Sequence, residues 1–419
     1  MRQIRTIKGT HDILPEASKN WQNLEKIIHD SASLFGYKEI RTPIIEEAGL
    51  FNRGIGENTD IVSKEMYSWI DRDDKTIALR PEMTASVVRS YIQHNLGSQS
   101  ALQRLYYLGP SFRRERPQKG RQRQFHQFGV EAIGSVNPEQ DAEVIALGWE
   151  ILSGVGINNL DLKISSIGSE ECRNKYKNAL LKFLKPKSSK LSDVSQYRLE
   201  NNPLRILDTK NKNEIEIIKS APKIEEFYTK EDQSHFKQIQ DYLKALSIPF
   251  TIDPLLVRGL DYYTQTTFEI ISNDIGAQNA LLGGGRYDNL IMSLGGKDTP
   301  AVGFAAGMER ILLAINKNDS NKKKLPTIYI VCVENEAIGL MQQIAKDLRS
   351  LGLKVLLETL RRSMKAQMRE ANKCNANYAI IIGGQEQINK TVQLKNLSDG
   401  IQETIDQKNL FAYFKSLTF

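Results

Sequence analysis

The sequence predicts an α+β protein built in three regions: a first region of mixed strands and helices, a helical insertion that interrupts it, and a C-terminal α/β region. Three observations support this organisation. The length of 419 residues is enough for two or three domains, each with its own core. Residues 169–246 are rich in Lys and Glu, show helical periodicity and contain few glycines, unlike the segments on either side. The polar, charged segment 316–326 ends in proline and is typical of a linker.

The first elements are a helix and an extended segment. Apolar residues recur at helical spacing from about Asn20 to Phe35, and Gly36 is expected to end the helix. Residues 37–46 are typical of extended chain. Because Pro43 cannot donate a hydrogen bond to a neighbouring strand, this segment is predicted to lie at a sheet edge, a bulge or an interface.

Residues 79–85 are predicted to end a strand and begin a helix. Two interpretations of Glu82 and Thr84 are open. In the first, Glu82 is a first-turn carboxylate that the helix dipole favours, and Thr84 is a local cap. In the second, Glu82 holds a substrate ammonium group with Thr84 beside it. The spacing alone favours the structural interpretation.

A basic hairpin between two apolar strands is the most informative feature of the chain. The outgoing strand covers about Leu102 to Leu108, and a second alternating segment ends near Glu131. Six of the eleven residues 113–123 are Lys or Arg, and Pro117 and Gly120 mark a turn. Such a hairpin can hold several phosphates and contact a small polar ligand, although a solvated surface hairpin would have the same composition.

Three short motifs follow the insertion. The string 258–263, Arg-Gly-Leu-Asp-Tyr-Tyr, either contributes to a binding site or forms a buried tyrosine pair beside an Arg that caps a turn. The run Gly283-Gly284-Gly285 allows close approach of backbone to a ligand, but by itself it is more typical of a turn. Ala301 is predicted to begin a glycine-punctuated helix that ends near Ile315.

The C-terminal region alternates strands with helices. We predict strands at residues 327–333, 354–358, 379–382 and 391–397, and helices at residues 337–350, 364–374 and 410–417. Right-handed crossovers between such strands give a mainly parallel sheet with helices on both faces.

Composition places further bounds on function. The 57 Lys and Arg exceed the 50 Asp and Glu, so the net charge of +7 permits a polyanionic partner without requiring one. The three cysteines are far apart and match neither a disulfide framework nor a zinc motif, which favours the reducing cytoplasm. Without a leader or a run of 18 apolar residues, a soluble protein with no membrane partner is expected. No G-x-x-x-x-G-K-[ST] loop is present, so a P-loop enzyme does not fit.

Taken in order, these motifs resemble those of the bacterial-type class II aminoacyl-tRNA synthetases, and among them the histidyl-tRNA synthetases. The helix from about Asn20 to Phe35 followed by the extended segment 37–46 with Pro43 resembles motif 1. The hairpin 112–131 resembles motif 2, and residues 301–310 resemble motif 3. The string 258–263 and residues 283–290 resemble the two histidine-specific motifs. Met83 and Asn289 depart from the family pattern, because glycine is usual at both positions.

The resemblance implies a fold and a domain order. It implies a class II catalytic core at residues 1–168 and 247–316, built on a mainly antiparallel sheet with flanking helices. The helical insertion would occupy residues 169–246, the linker 317–326 and an α/β anticodon-binding domain 327–419. Motif 1 forms the dimer interface in that family, so a homodimer is implied.

The resemblance also implies a reaction. ATP would drive the ligation of L-histidine to tRNA(His) through a histidyl-adenylate, releasing AMP and diphosphate. Mg²⁺ would accompany ATP, with no dedicated protein metal site. The enzyme would be cytoplasmic.

Residue roles follow from the same resemblance. An arginine suits the α-phosphate because its planar guanidinium stays protonated and binds two oxygens at once. A carboxylate and a tyrosine hydroxyl on the two imidazole nitrogens would select histidine and reject apolar analogues. The implied catalytic residues are Arg258 and Arg113; the histidine-binding residues are Glu82, Thr84, Gln127, Glu131, Arg258, Tyr262 and Tyr263; the ATP-binding residues are Arg113, Glu115, Arg121, Phe125 and Arg310; and the residues facing the tRNA acceptor end are Arg116, Gln118 and Lys119.

Two other functions compete with this interpretation. A histidine-binding regulatory paralogue of ATP phosphoribosyltransferase would have lost the catalytic Arg and the C-terminal domain, whereas Arg258 and residues 327–419 are present. Another class II synthetase, for threonine, proline or glycine, would have no need of the string 258–263 together with Glu131.

Overall fold

A computed structural model of the chain describes residues 3–57, 59–118, 120–207, 209, 211–256, 260–272, 279–315 and 326–418. These residues form two compact units, one within Met1–Asp319 and one within Ser320–Phe419. The predicted linker at residues 317–326 lies outside the described residues except for Pro326.

The first unit combines strands and helices along its whole length. Its strands are β1 (Lys38–Glu39), β2 (Ile45–Glu47), β3 (Tyr67–Ile70), β4 (Thr76–Leu79), β5 (Gln103–Phe112), β6 (Gln124–Ile133), β7 (Leu160–Ser166), β8 (Thr251–Ile252), β9 (Thr264–Ser272), β10 (Ala280–Arg286) and β11 (Ala301–Gly307). Its helices are α1 (Pro15–Leu34), α2 (Ala48–Ile55), α3 (Thr84–Gln93), α4 (Pro138–Gly154), α5 (Glu170–Leu184), α6 (Asp193–Asn201), α7 (Lys212–Ile218), α8 (Lys230–Ala245), α9 (Leu290–Ser293) and α10 (Met308–Ala314).

The main sheet of this unit is antiparallel at its centre. Its strand order is β1-β5-β6-β11-β10-β9-β7-β8, and only the outer pairs β1/β5 and β7/β8 run parallel. The basic hairpin is the pair β5/β6, in register from Gln103 opposite Ile133 to Phe112 opposite Gln124. The mainly antiparallel sheet with flanking helices confirms the predicted fold class.

One face of this sheet carries the core. Alternate residues of a strand point to opposite faces, so Phe128 and Val130 of β6 lie on the face away from Glu131. They are buried in one apolar cluster with Phe304 of β11 and with side chains of α1, α4 and α10. The other face of the sheet is therefore free to carry polar groups.

The insertion has two parts. Helices α5 and α6 and the chain up to α7 surround their own apolar cluster, which includes Tyr176, Leu180 and Leu199. Helix α8 instead contributes Phe236 and Ile239 to the core beneath the main sheet. The insertion is thus anchored by α8 while its remaining helices pack among themselves.

A small sheet, in the order β2-β4-β3, packs against α2 and α3. Arg80, just after β4, is buried and donates to the carbonyl oxygens of Pro110, Thr42 and Pro43. These bonds tie the extended segment around Pro43 to the outer end of β5.

The second unit is a five-stranded mixed sheet with helices on both faces. Its elements are β12 (Thr327–Cys332), α11 (Ile338–Ser350), β13 (Lys354–Leu357), α12 (Met364–Lys373), β14 (Tyr378–Ile382), α13 (Gly384–Asn389), β15 (Thr391–Asn396), β16 (Gln402–Asp406) and α14 (Gln407–Thr418). In the order β13-β12-β14-β15-β16, the first three strands are parallel and the last two pairings are antiparallel. The two faces bury separate clusters, one with Met341 of α11 and Phe414 of α14 and one with Ala371 of α12.

Three predictions about these elements were wrong. Residues 301–307 form β11 in the middle of the sheet rather than the start of a helix, which begins only at Met308. Gly283, Gly284 and Gly285 lie inside β10 rather than in a turn. The C-terminal sheet is mixed rather than mainly parallel, because β15 and β16 form a tight hairpin, and such short connections join antiparallel strands.

Candidate active site

A cavity of about 650 Å³ lies over the polar face of the main sheet. Eleven of the residues that the motifs singled out line it, namely Glu82, Thr84, Arg113, Glu115, Arg121, Phe125, Gln127, Glu131, Tyr262, Tyr263 and Arg310. Arg116 and Gln118 lie instead at the exposed tip of the hairpin. Arg258 and Lys119 lie outside the described residues.

Strand β6 supplies the floor of the cavity by simple alternation. Phe125, Gln127 and Glu131 share one face with Gly129, because each is two residues from the next. Opposite them on β11 lie Gly303, facing Glu131, and Gly307, facing Gln127. The large polar side chains of one strand therefore rise beside glycines of the next.

Glycine is required at position 303. A Cβ atom there would lie 1.9 Å from Oε2 of Glu131 and 2.4 Å from the carbonyl oxygen of Val130. Neither contact is possible for a real side chain, and the second involves backbone that cannot rotate away. The bare backbone of β11 thus makes room for the Glu131 carboxylate.

Glu131 is fully buried and is surrounded by hydroxyl donors. Its Oε1 accepts hydrogen bonds from Thr84 Oγ1 at 2.8 Å and from Tyr107 OH at 3.0 Å. Its Oε2 accepts from Tyr287 OH at 2.5 Å. Because an ionised carboxylate has about four lone-pair sites, the three hydroxyl donors do not exhaust its capacity to accept hydrogen bonds.

Burial controls the charge of this group. It raises the pKa of Glu131 to about 8, while the hydrogen bonds from Tyr287, Thr84 and Tyr107 act in the opposite direction. Burial, reinforced by the charge of Glu131, raises the pKa of both Tyr107 and Tyr287 well above the ordinary value. The two phenols therefore stay protonated and remain donors, and a cationic or N–H-bearing ligand would favour ionisation of Glu131.

Glu82 acts as a cap in the structure. Its two carboxylate oxygens accept from the backbone N–H groups of Thr84, at 2.7 Å, and Ala85, at 2.9 Å, at the first turn of α3. Burial raises its pKa, and these same bonds lower it. Since Glu82 also lines the cavity, capping and ligand binding are compatible, and Thr84 is directed to Glu131 by its hydroxyl.

The two departures from the family pattern have ordinary backbone conformations. Met83 has φ −112° and packs in an apolar cluster with Leu105 and Tyr107. Asn289 has φ −88° immediately before α9. Neither conformation requires glycine.

Tyr262 and Tyr263 form one wall of the cavity. Their ring centroids are 4.7 Å apart, and Tyr262 also meets the edge of Tyr287 at 5.6 Å. The three tyrosines therefore make a continuous aromatic surface beside Glu131.

The opposite end of the cavity is basic. Arg113 donates from Nε to the carbonyl oxygen of Pro81 at 2.9 Å, and its guanidinium lies over the ring of Phe125 at 5.2 Å. Arg121 pairs with Glu115 at 3.2 Å. Arg113 is thus held in place from two sides, with Phe125 beneath it.

Arg310 joins this end from α10. It donates to the carbonyl oxygens of Gly120, at 3.1 Å, and Ala280, at 3.0 Å, so it bridges the hairpin and β10. Burial lowers the pKa of Arg310, and the positive charge of Arg121 adds to that shift. Three guanidinium groups therefore face the same part of the cavity, as an anionic ligand requires.

An N-terminal segment supports the hairpin. The carbonyl oxygen of Gly9 accepts from the N–H of Arg123 at 2.7 Å. Gly9 has φ +90°, and a Cβ there would lie 2.9 Å from Cγ of both Arg123 and Pro117. A larger residue at this position would therefore have to displace the side chains of the basic hairpin.

His126 has a structural environment. Its ring bonds Glu309 at 3.0 Å and meets Trp21 edge to face at 4.8 Å.

Sequence reasoning missed two of the donors to Glu131. Tyr107 was treated only as part of an apolar strand, and no sequence signal distinguishes it from other strand tyrosines. Tyr287 lies in the Gly-Gly-Gly-Arg-Tyr-Asp motif, where its position directly after a glycine-rich strand was the available signal.

Among the described residues, no three His, Cys, Asp or Glu side chains form a metal-binding group. None of the described helices combines the length and apolarity needed to cross a bilayer.

Comparison with known proteins links this site to a family. Residues 9–311 match the family model described as Histidyl-tRNA synthetase, and residues 327–417 match the one described as Anticodon binding domain. A "Histidine--tRNA ligase" of Chloroherpeton thalassium is 47% identical over 421 residues, covering 99% of each chain. One of Gloeothece citriformis is 47% identical over 417 residues, covering 100% of this chain and 97% of that protein. The crystal structure of apo S. aureus histidyl-tRNA synthetase superposes with a TM-score of 0.84 at 38% identity, over 99% of this chain and 100% of the other.

Proposed function

The chain belongs to the histidyl-tRNA synthetase family, and from that premise we propose that it joins L-histidine to tRNA(His) in the cavity over the main sheet. The reaction has two steps. An oxygen of the histidine carboxylate bonds to the α-phosphorus of ATP and diphosphate leaves, giving histidyl-adenylate. The 3′-hydroxyl of the terminal tRNA ribose then bonds to the carbonyl carbon, and AMP leaves.

The observation that carries this proposal is the joining of two unlike ends in one cavity. A buried carboxylate with three hydroxyl donors lies at one end, and three guanidinium groups lie at the other. The first, which we call the ring end, suits the imidazole ring of histidine. The second, which we call the basic end, suits a triphosphate. A single ligand pair that fits both is histidine with ATP.

At the ring end, we assign Glu131 to one imidazole N–H and Tyr263 to the other ring nitrogen. Glu131 lines the cavity and has acceptor capacity beyond its three hydroxyl donors, which supports the first assignment. Glu82 and Gln127 would hold the substrate ammonium group, because both are polar and line the same cavity. Thr84 would act through Glu131, to which its hydroxyl is bonded.

At the phosphate end, we assign Arg113 to the α-phosphate, where negative charge grows as the carboxylate attacks. Its fixed position, bonded to the Pro81 carbonyl, supports this role. Arg310 and Arg121 would bind the outer phosphates, and Phe125 the adenine, with Glu115 beside it. Arg258, by resemblance, would add a second cation at the α-phosphate.

Mg²⁺ would enter as part of the ATP substrate and would neutralise part of the negative charge on the phosphate oxygens. Arg116 and Gln118 at the exposed hairpin tip would meet the acceptor end of the tRNA, and by resemblance Lys119 would join them. The second unit, which matches the anticodon-binding family, would bind the distant end of the same tRNA.

We also propose a homodimer. Exposed apolar side chains on the small sheet, and on the residue just before β2, support it. Ile44 is 40% exposed, Ile45 50%, Trp69 41% and Ile70 70%. An exposed apolar patch of this kind marks an interface in many soluble proteins. Sedimentation velocity at micromolar concentration should give twice the chain mass, and a monomer would overturn this part.

The deciding experiment is ATP–pyrophosphate exchange with each of the twenty amino acids, without tRNA. We expect exchange with histidine alone. Exchange with another amino acid would overturn the assignment of Glu131 and Tyr263. Histidine binding without exchange would instead favour a regulatory histidine-binding protein.

A further inference from the structure

The helical insertion makes polar contacts with the short segment that carries Tyr262 and Tyr263. This segment, Leu260–Gln265, runs along the cavity wall and into β9. Three separate parts of the insertion reach it, from α5, from the end of α6 and from α8. Each contact is a directed hydrogen bond rather than general apolar packing.

The first contact holds Asp261. Asn202, the residue that ends α6, donates from Nδ2 to Asp261 Oδ1 at 2.9 Å, and Arg205 Nε lies 3.9 Å from the same oxygen. On its other side Asp261 is close to the end of α2, since a Cβ added to Gly56 would lie 2.9 Å from Asp261 Oδ2. The Asp261 carboxylate is thus held between the insertion and α2.

The second contact fixes the backbone of Tyr263. Arg173 of α5 donates from Nη1 to the carbonyl oxygen of Tyr263 at 2.8 Å. The Arg173 guanidinium is withdrawn from solvent where it makes this bond, and this burial lowers its pKa. The insertion therefore bonds both the residue before Tyr262, which is Asp261, and the backbone of Tyr263.

The third contact fixes the entry into β9. Gln265 has φ +47°, a left-handed conformation that a non-glycine residue rarely adopts. Its side chain donates to Asp232 of α8 at 2.9 Å, and its backbone N–H donates to Gly168 at 3.1 Å. The insertion thus stabilises an unfavourable backbone position two residues beyond Tyr263.

We propose that Asn202 and Arg173 of the insertion are positioning residues for histidine, which set Tyr262 and Tyr263 in place before any tRNA binds. This inference rests on the proposed function, because it concerns the amino-acid end of the same site. It assigns the insertion a part in the first step of the reaction. Neither residue touches the cavity floor or the three arginines, so the effect should be confined to histidine.

The test compares two neighbouring asparagines. Asn202→Ala removes the bond to Asp261, whereas Asn201→Ala removes only a bond from Asn201 Nδ2 to the Tyr197 carbonyl within α6. In pyrophosphate exchange, Asn202→Ala should raise the KM for histidine roughly threefold to tenfold, as loss of a typical solvent-exposed hydrogen bond predicts. The KM for ATP should change less than about twofold by the same reasoning, and Asn201→Ala should match the wild type in both constants.

Two further measurements separate positioning from stability. Arg173→Met, which keeps the apolar stem, should raise the histidine KM in the same selective way. Adding Asn202→Ala to Asp261→Ala should cause little further loss, because Asp261→Ala already removes the acceptor of the Asn202 hydrogen bond. Equal losses for histidine and ATP, an unchanged histidine KM, or effects of Asn202→Ala and Asp261→Ala that multiply would overturn the inference.

Failure of the proposed function can be told apart from failure of this inference. If the wild type shows no exchange, histidine affinity is measured instead by calorimetry on the same variants. Weaker histidine binding by Asn202→Ala than by Asn201→Ala would then support the positioning role even without catalysis. Equal affinity in all three proteins would overturn it.

Discussion

The two ends of the cavity differ in the sign of their charge and in how that charge is held. At the ring end one carboxylate is fully buried, and neutral hydroxyls surround it. At the basic end three partly exposed arginines are held by carbonyl oxygens and by Glu115. The ring end is specified by shape and by satisfied hydrogen bonds, whereas the basic end is specified by charge. Damage at the first should therefore alter which substrate binds, and damage at the second should alter how fast it reacts.

The largest effect should come from Gly303→Ala. The added Cβ would overlap both Glu131 Oε2 and the Val130 carbonyl, so the carboxylate or the strand must move. We expect pyrophosphate exchange to fall below detection. Gly307→Ala on the same strand is the matched control, since its Cβ would meet only the flexible Arg310 side chain, with Cδ at 3.8 Å and Cγ at 3.9 Å. Equal activity of the two variants would show that the ring end tolerates displacement.

A loss of roughly 100-fold is expected for Arg113→Lys in the exchange rate, as for other groups that stabilise growing charge. Lysine cannot both bond the Pro81 carbonyl and present a planar fork to phosphate. Histidine affinity, measured by calorimetry, should be unchanged. Arg114→Lys, one residue along the same hairpin, serves as control and should keep full activity. A parallel loss of histidine affinity would contradict the division between the two ends.

Glu131→Gln should weaken histidine binding roughly tenfold to 100-fold, the range for a hydrogen bond to a charged group. The glutamine amide also cannot accept from all three hydroxyls, so one donor is left unpaired. Affinity for ATP should not change. Competition binding with both ligands measures this, and equal weakening of ATP would remove Glu131 from the ring end.

The same residue gives a pH test of stability. The folded chain holds the pKa of Glu131 near 8, above the ordinary 4.5, so the folded state binds this proton more tightly than the unfolded state. The favourable contribution is full below pH 4.5 and is lost as the pH rises towards about 8. Denaturant unfolding of the wild type and of Glu131→Gln should therefore diverge across this window. A constant difference in unfolding free energy would contradict the shifted pKa.

The smallest effect, a rise of roughly threefold to tenfold in the KM for ATP, is expected for Gly9→Ala. The new Cβ would press on Arg123 and Pro117 and shift the hairpin, in addition to the backbone strain of roughly 1 to 2 kcal/mol that a Cβ meets at positive φ. Gly36→Ala is the control, since Gly36 also has positive φ but has nothing within 4 Å of the added atom. If both variants raise the ATP KM equally, the hairpin contact plays no part.

The sequence predicted the basic end better than the ring end. The hairpin could be predicted because alternation, a turn and a cluster of cations lie within about twenty consecutive residues. The partners of Glu131 could not, because Thr84, Tyr107 and Tyr287 come from three distant segments that only the fold brings together. Strand β11 was mistaken for a helix for a related reason. It is nearly all alanine and glycine beside two apolar residues. Its cavity-facing positions carry Gly303, Ala305 and Gly307 rather than polar side chains, so apolar and polar residues do not alternate.

The pairing of β6 with β11 joins segments that are synthesised at different times. Ile133 lies opposite Ala301. The strand that carries Glu131 therefore cannot pair with β11 until the ribosome has synthesised the whole insertion. At bacterial elongation rates this interval lasts roughly 10 to 30 seconds. During that time the apolar face of β6, with Phe128 and Val130, lacks the cover that Phe304 later provides. The nascent chain therefore passes through a period in which chaperones compete with aggregation, and substitutions that slow the insertion's own folding should lower the yield of enzyme rather than its activity.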